Sequence, residues 1–299
     1  MERLLDQSYA RAEAVTADRA RSFHFASGFL PPDKRRGVFA LYDYCRHADD
    51  LVDERGERPV DEVRAELAAL GDLVRRLHAG ERPADARWLA LWDTLRRQPV
   101  PLAPMLELLD GVAMDLGPVR MPDFPALRRY CRYVAGGVGL LLGPLLGAEA
   151  GGFDQPGVDL GIAMQLTNVI RDVAEDLDAD RVYFPADELA AFGLSAEALR
   201  ERRATPALRR FVAFQVERAR HYFDQGDRVI DRFPADGSRL CVRLMQRTYA
   251  GILDEVARRR FDVFAGRASV SRARKLLILG QAVWHDGPAA VAQLASRPA

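Results

Sequence analysis

IAMQLTNVIRDVAED, residues 162–176, sets Ile162, Leu166, Val169, Ile170 and Val173 at a helical period, while Gln165, Asn168, Asp172 and Asp176 fall at i, i+3, i+7 and i+11 along another line. The stretch is predicted to form one helix carrying a continuous polar stripe. Exposed helix faces are generally rich in Lys and Glu. Amides interleaved with aspartates between apolar residues instead point to a cavity wall, where each polar group needs a partner. A buried structural network is the alternative reading of the same stripe.

The same period recurs roughly 120 residues upstream, where Val38, Leu41, Tyr42 and Cys45 share one face. It leads into YDYCRHADDLVD, residues 42–53, in which Asp49 and Asp53 sit one turn apart, with Arg46 and Tyr42 one and two turns earlier. An i,i+4 acidic pair is most often a solvated face. Stacked carboxylates are also the hard oxygen ligands that Mg²⁺ prefers, with water and substrate phosphate completing its shell. Two acidic stripes facing each other across one cavity would repel unless cations lay between them, and magnesium ions bound to a diphosphate would resolve that repulsion. Arg46 and Arg171 are placed beside the stripes to pair with such an anion.

Alternating strand patterns are almost missing, and Pro or Gly clusters break the chain at Pro31-Pro32, Gly80 to Pro83, Pro99 to Pro104, Gly117-Pro118, Gly151 to Gly157, Gly193 and Pro234 to Gly237. This predicts an all-α protein of roughly eight or more helices. No break is long enough for a linker, so residues 1–299 read as a single domain. Lys plus Arg and Asp plus Glu balance at 43 each, which leaves no basic excess for a nucleic-acid partner. Cys45, Cys131 and Cys241 are widely spaced, suggesting neither a disulfide framework nor a zinc site and fitting a reducing cytoplasm. The start of the chain, with Glu2, Asp6 and Arg11, does not read as a signal peptide, and the longest apolar run, residues 136–148, is short of the ~20 residues that span a bilayer. A cytoplasmic protein, soluble or peripheral to a membrane, is expected.

Taken with Arg21-Ser22-Phe23 before Leu30-Pro31-Pro32, Tyr130-Cys131 before Val134-Ala135-Gly136, and Arg181-Val182-Tyr183-Phe184-Pro185, the two acidic motifs resemble the squalene/phytoene synthase family, in order, from about Ser22 to Ser271. The resemblance implies the isoprenoid (terpenoid) synthase fold, a single helical bundle around a central cavity. It also implies head-to-head condensation of two allylic prenyl diphosphates through a cyclopropylcarbinyl diphosphate. The leaning is to two geranylgeranyl diphosphates giving phytoene, for carotenoid synthesis; squalene or dehydrosqualene from farnesyl diphosphate is the alternative.

The resemblance assigns metal binding to Asp49, Asp53, Asn168, Asp172 and Asp176, with Mg²⁺ or Mn²⁺ as the ion and NADPH needed only by a squalene synthase. Tyr42, Arg46, Tyr130, Gln165, Arg171 and Tyr249 would act on substrate and carbocation. Ser22, Phe23, Ser27, Asn168, Tyr183 and Arg267 would contact substrate, with a small residue at Ser27, one turn after Phe23, leaving depth for a longer tail. An oily product would leave to a membrane surface or a downstream desaturase; the oligomeric state stays open. Gly137 departs from the Thr of many members, and a one-residue ambiguity over Phe261 to Ser271 weakens the match at Arg267.

Arg258-Arg259-Arg260 reads as a solvated helix end, and Tyr9, Trp88 and Trp92 as core or interface aromatics. The five histidines lack a Glu-x-x-His pattern, and no P-loop or G-x-G-x-x-G is found. Two other readings compete. A terpene cyclase or chain-elongating enzyme would share the acidic motifs but not the Tyr42, Arg46, Asp49 spacing. A catalytically silent helical subunit would not need all four aspartates.

Overall fold

The computed structural model describes residues 2–149 and 151–286, and the single-domain expectation for residues 287–299 lies outside them. Fifteen α-helices account for most of the described residues, as the periodicity predicts.

Pro31-Pro32 becomes a helix start, because a proline at the first position lacks an N–H that would be unpaired anyway. The N-terminal part is α1 (Glu2–Arg19), α2 (Arg21–Ser27), α3 (Pro32–Asp53), α4 (Val60–His78), α5 (Leu89–Arg97) and α6 (Leu102–Ala113). Next come α7 (Phe124–Cys131), capped by the Asp123 carboxylate on the Ala126 N–H, and α8 (Gly137–Leu146). Then follow α9 (Asp154–Arg171), α10 (Val173–Asp178), α11 (Ala186–Ala191), α12 (Ala196–Arg200), α13 (Pro206–Asp227), α14 (Ser238–Arg258) and α15 (Arg272–Asp286). Fully buried Leu41, Tyr44, Leu127, Leu141, Ile162, Ile170 and Phe211 belong to one continuous apolar core. Most of its few polar groups are paired, as where the Tyr44 hydroxyl donates to the Met105 carbonyl at 2.7 Å.

Three local features correct the sequence reading. Residues 162–176 are not one helix. The helix breaks at Asp172 (φ −102°, ψ 14°) between α9 and α10, although the Asp172 and Asp176 amides keep their bonds to the carbonyls four residues back. The Gly151 to Gly157 break ends early, since α9 begins at Asp154 and runs through Gly157. A short parallel pair also forms, β1 (Val119–Arg120) with β2 (Arg181–Val182), which pins the Arg181-Val182-Tyr183 segment beside the end of α6.

Between α7 and α8, residues Arg132–Gly136 form a π-helical turn. Such turns are rare and frequently found at functional sites. Close packing holds this one in place: a Cβ at Gly161 of α9 would lie 2.3 Å from the Ala135 carbonyl oxygen. Only glycine there lets α9 approach the turn, and the approach brings Val134 to the cavity that α3 and α9 enclose.

Candidate active site

Two cavities meet in the middle of the bundle. One, of about 440 Å³, is polar and is bounded by the ends of α3, α6, α9 and α10. The other, of about 300 Å³, is apolar and lies between α2, α3, α8, α9 and α14. Asp49, Val134, Gln165 and Asn168 line both, so they mark the passage between them. Residues from Gly157 to Asn168 line the apolar cavity, which at 1.5 Å per residue extends about 17 Å along α9. At its deep end the Phe153 and Phe233 rings meet edge to face, 5.6 Å apart. The larger groove of about 710 Å³ beside Tyr9, Arg36 and Asp93 contains none of the expected site residues.

The two acidic stripes do face one cavity. Asp49 and Asp53 project from α3, Asp172 and Asp176 from the α9–α10 bend, and Arg46, Arg171 and Arg267 line the same space. Each arginine lies on a carboxylate. Arg46 pairs with Asp50 and approaches Asp53 at 3.9 Å. Arg171 grips Asp172 through Nε at 2.7 Å, and Arg267 reaches the same carboxylate at 2.8 Å. Asp50, one turn after Arg46, takes the guanidinium directly, as i,i+4 geometry favours, while the Arg46 charge also acts on Asp49.

These pairings sort the acids by ionisation. Burial would raise Asp172, but hydrogen bonds from Arg171 and Arg267 hold its carboxyl below the ordinary range. Asp49 and Asp176 have no such grip. Burial, reinforced by neighbouring carboxylates, pushes each up to about 7, against the opposing charge of Arg46 and Arg181 respectively. Asn168 donates to the Gln165 oxygen at 3.1 Å, while its own Oδ1 is buried with no partner. An unpaired buried oxygen costs free energy unless a ligand takes it up.

Two residues that the sequence reading did not assign to the site belong here. Asp115, just past α6, accepts the Tyr130 hydroxyl at 2.8 Å and the Tyr183 hydroxyl at 2.7 Å, and those rings stack 4.8 Å apart. Burial raises its carboxyl despite both bonds, and burial raises the two phenols as well. Arg181 bonds Asp53 at 2.9 Å, bridging the β2 segment to α3. The family-like motif containing Arg181 was a signal for it; Asp115 had none.

Phe23, Tyr42 and Tyr249 line the apolar cavity, where Tyr42 is pushed up to about 12, chiefly by burial. Neither Ser22 nor Ser27 lines a cavity wall. Ser22 accepts a hydrogen bond from Lys275 at 2.9 Å at the start of α2. Ser27 is fully buried behind Cys241, which takes the wall position expected of it. Gly137 contacts Pro104 rather than either cavity, so its departure from the family pattern bears on packing.

The donor groups suit a hard divalent cation, being carboxylate and amide oxygens. Among the described residues no three His, Cys, Asp or Glu side chains gather closely enough to hold an ion alone. No helix of the described residues is long and apolar enough to cross a membrane.

Comparison with known proteins points to one family. Residues 16–274 match the family model described as squalene/phytoene synthase. The chain is 37% identical over 284 residues to the chloroplastic phytoene synthase 2 of Solanum lycopersicum, covering 92% of this chain and 90% of that one. It is 37% identical over 287 residues to the 15-cis-phytoene synthase of Synechococcus elongatus, covering 92% of each. Among solved structures, a dehydrosqualene synthase in complex with ligand superposes with a TM-score of 0.84 at 28% identity, covering 98% of both chains. A squalene synthase from Alicyclobacillus acidocaldarius gives 0.78 at 29% identity, over 86% of this chain and 96% of that one.

Proposed function

The chain belongs to the squalene/phytoene synthase family, and we propose that it condenses two geranylgeranyl diphosphates head to head into phytoene. The observation that carries this reading is the pair of joined cavities: a charged one for diphosphate opening, at Asp49, Gln165 and Asn168, onto an apolar one for a long hydrocarbon tail. The phytoene synthases among the relatives, similar over nearly the whole chain, support the longer substrate. The likeness to dehydrosqualene synthase and the modest apolar volume of about 300 Å³ support the alternative, farnesyl diphosphate.

Asp49, Asp53, Asn168, Asp172 and Asp176 are proposed to hold Mg²⁺, or Mn²⁺, which when bound supplies positive charge against the departing diphosphate. The unpartnered Asn168 Oδ1 and the all-oxygen donor set fit that role. Six carboxylates and four guanidiniums line the polar cavity, an excess of two negative charges if all ionise, so a diphosphate needs added cations to enter.

In the reaction, Arg46, Arg171 and Arg267 turn from carboxylates to diphosphate oxygens, and one substrate loses its diphosphate as the carbon–oxygen bond breaks. The double bond of the second substrate attacks the resulting allylic cation, and proton loss closes the cyclopropane ring. Departure of the second diphosphate then ionises this intermediate, the ring rearranges, and a second proton loss gives phytoene. Tyr42, Tyr249 and Gln165 present ring faces and oxygens to the cation, while the apolar walls exclude water that would divert it to an alcohol. One dominant apolar core, with a small satellite cluster at Tyr9, Ala40 and Ala90, supports one catalytic domain.

Product analysis tests the proposal: full-length protein with Mg²⁺ is incubated with geranylgeranyl or farnesyl diphosphate, with and without NADPH. Phytoene from the first substrate is expected. A squalene-type product from the second alone favours the alternative, and only monomeric alcohols overturn both.

A further inference from the structure

The three arginines that follow one another at the end of α14 do different things. Arg258 is the solvated helix end that the sequence suggests, its side chain 72% exposed and paired with Glu255. Arg259 is not. Its side chain is 22% exposed, and its guanidinium reaches in two directions, with Nε donating to Glu255 at 2.8 Å and Nη1 to the Gly266 carbonyl at 2.6 Å. That carbonyl belongs to the peptide leading into Arg267, which crosses to Asp172 at 2.8 Å on the wall of the polar cavity. Packing does little to hold this peptide. Val263 and Ala268 are buried, but residues 265–267 between them are exposed. Gly266 has open space where a Cβ would stand, and neither Gly266 nor Arg267 makes a backbone–backbone hydrogen bond among the described residues.

The turn from which Arg259 reaches is itself braced. Arg260 and Phe261 both adopt positive φ, +55° and +59°, a conformation costly for residues that carry a side chain. The Arg260 N–H bonds the Ala257 carbonyl and the Phe261 N–H the Val256 carbonyl, each at 2.9 Å. In this way of ending a helix, glycine usually takes the left-handed place; here an arginine takes it. Arg209 of α13 gathers the turn from outside. Its guanidinium donates to the Arg260 carbonyl, to the Arg259 carbonyl at 3.4 Å and to the Asp262 carboxylate at 3.0 Å. A planar guanidinium can serve several such acceptors at once. A chain of bonds therefore runs from α13 through the turn and Arg259 to the Arg267 peptide.

We propose that Arg259 is a positioning residue for diphosphate binding. By fixing the Gly266–Arg267 peptide it keeps the Arg267 guanidinium over the polar cavity, and Arg209 fixes Arg259 in turn. The inference rests on the reading of Arg267 as a diphosphate contact. Neither Arg259 nor Arg209 lines the polar or the apolar cavity, so each acts through Arg267 rather than on substrate. Without the bond to Gly266, Arg267 has more conformations to lose when an anion arrives, and that ordering subtracts from affinity. Long-range charge is the competing account, since a cation near the cavity attracts an anion without positioning anything. Arg258 carries the same charge one residue away and separates the two.

The test is calorimetric titration of inorganic pyrophosphate, with excess Mg²⁺ and at fixed pH, into the full-length protein and its variants. Arg267→Gln should weaken binding roughly tenfold or more, as for a lost hydrogen bond between charged groups, and Arg259→Met roughly three- to tenfold. The double variant should bind no more weakly than Arg267→Gln alone, a non-additivity that a general loss of stability would not produce. Arg258→Met should bind as wild type. Arg209→Met, which leaves Arg259 in place, should show the same coupling to Arg267 with a smaller loss, and it carries the test if Arg259→Met does not fold. Wild-type affinity in Arg259→Met, full additivity with Arg267→Gln, or an equal loss in Arg258→Met would each overturn the proposal. Wild-type affinity in Arg267→Gln would instead overturn the reading of Arg267, and the proposal with it.

Discussion

Changing Asp176 to Asn should halve the pH sensitivity of cation-dependent anion binding, and the size of the effect follows from the two raised carboxyls. Asp49 and Asp176 are each pushed up to about 7, first by burial and then by like charges. At that value each is about 9% ionised at pH 6 and about 91% at pH 8. A divalent cation takes only the ionised form. If both must ionise, the competent fraction rises about a hundredfold between these pH values, or roughly 2.7 kcal/mol of binding free energy. Calorimetric titration of Mg²⁺ and inorganic pyrophosphate into the full chain at pH 6, 7 and 8 measures it. Pyrophosphate also titrates in this range. Dividing the wild-type dependence by that of Asp176→Asn cancels its share and should leave about tenfold. Identical pH dependences in the two proteins would refute the reasoning. The sign for stability is opposite. Because the folded carboxyls hold protons that the unfolded chain releases near pH 4, the ligand-free fold loses stability as pH rises from about 4 to about 7. In EDTA, Asp176→Asn should therefore gain on the order of 1 kcal/mol over wild type at pH 8 and nothing near pH 4, the full shift being discounted for solvent in the cavity.

Asp115→Asn keeps one acceptor oxygen for the two tyrosine hydroxyls instead of two. Turnover should fall roughly ten- to a hundredfold while the melt moves by about 1–2 kcal/mol, and circular dichroism with steady-state assays would show whether the losses separate this way. Phe233→Ala removes half of the aromatic pair at the deep end of the apolar cavity. It should shift preference towards the longer diphosphate at a cost of about 3–5 kcal/mol, read from competing substrates by mass spectrometry, with Phe233→Leu giving a weaker shift in the same direction.

The sequence reading succeeded where a periodic pattern carried the information. Gln165, Asn168, Asp172 and Asp176 face one cavity with Asp49 and Asp53, as helical spacing implied. It missed what depends on tertiary neighbours. A bend at Asp172 leaves the i, i+4 amide bonds nearly intact, so no composition signal marks it. The π-helical turn at Arg132–Gly136 is held by Gly161 across the bundle, not by its own residues. Asp115 is a lone acid whose partners are 15 and 68 residues away in sequence. Ser27 was placed on the wall by its spacing from Phe23, but Cys241 of α14 stands in front of it.

The arginine pairings explain why anion and cation should enter together. Arg171 and Arg267 share Asp172, Arg46 lies on Asp50, Arg181 on Asp53, and the Tyr130 and Tyr183 hydroxyls hold Asp115, which leaves the Asp49 and Asp176 carboxylates ungripped. Those ungripped acids are the two whose carboxyls are raised to about 7. An anion arriving alone would draw arginines away and leave Asp172 uncompensated in a cavity already in acidic excess. A cation arriving alone finds no three acidic side chains gathered around it among the described residues. Each ligand thus supplies what the other lacks: the cation neutralises carboxylates that the arginines abandon, and the anion contributes the oxygens that the protein does not converge. Such coupling is reciprocal, so whatever factor the cation adds to diphosphate affinity, diphosphate adds to cation affinity.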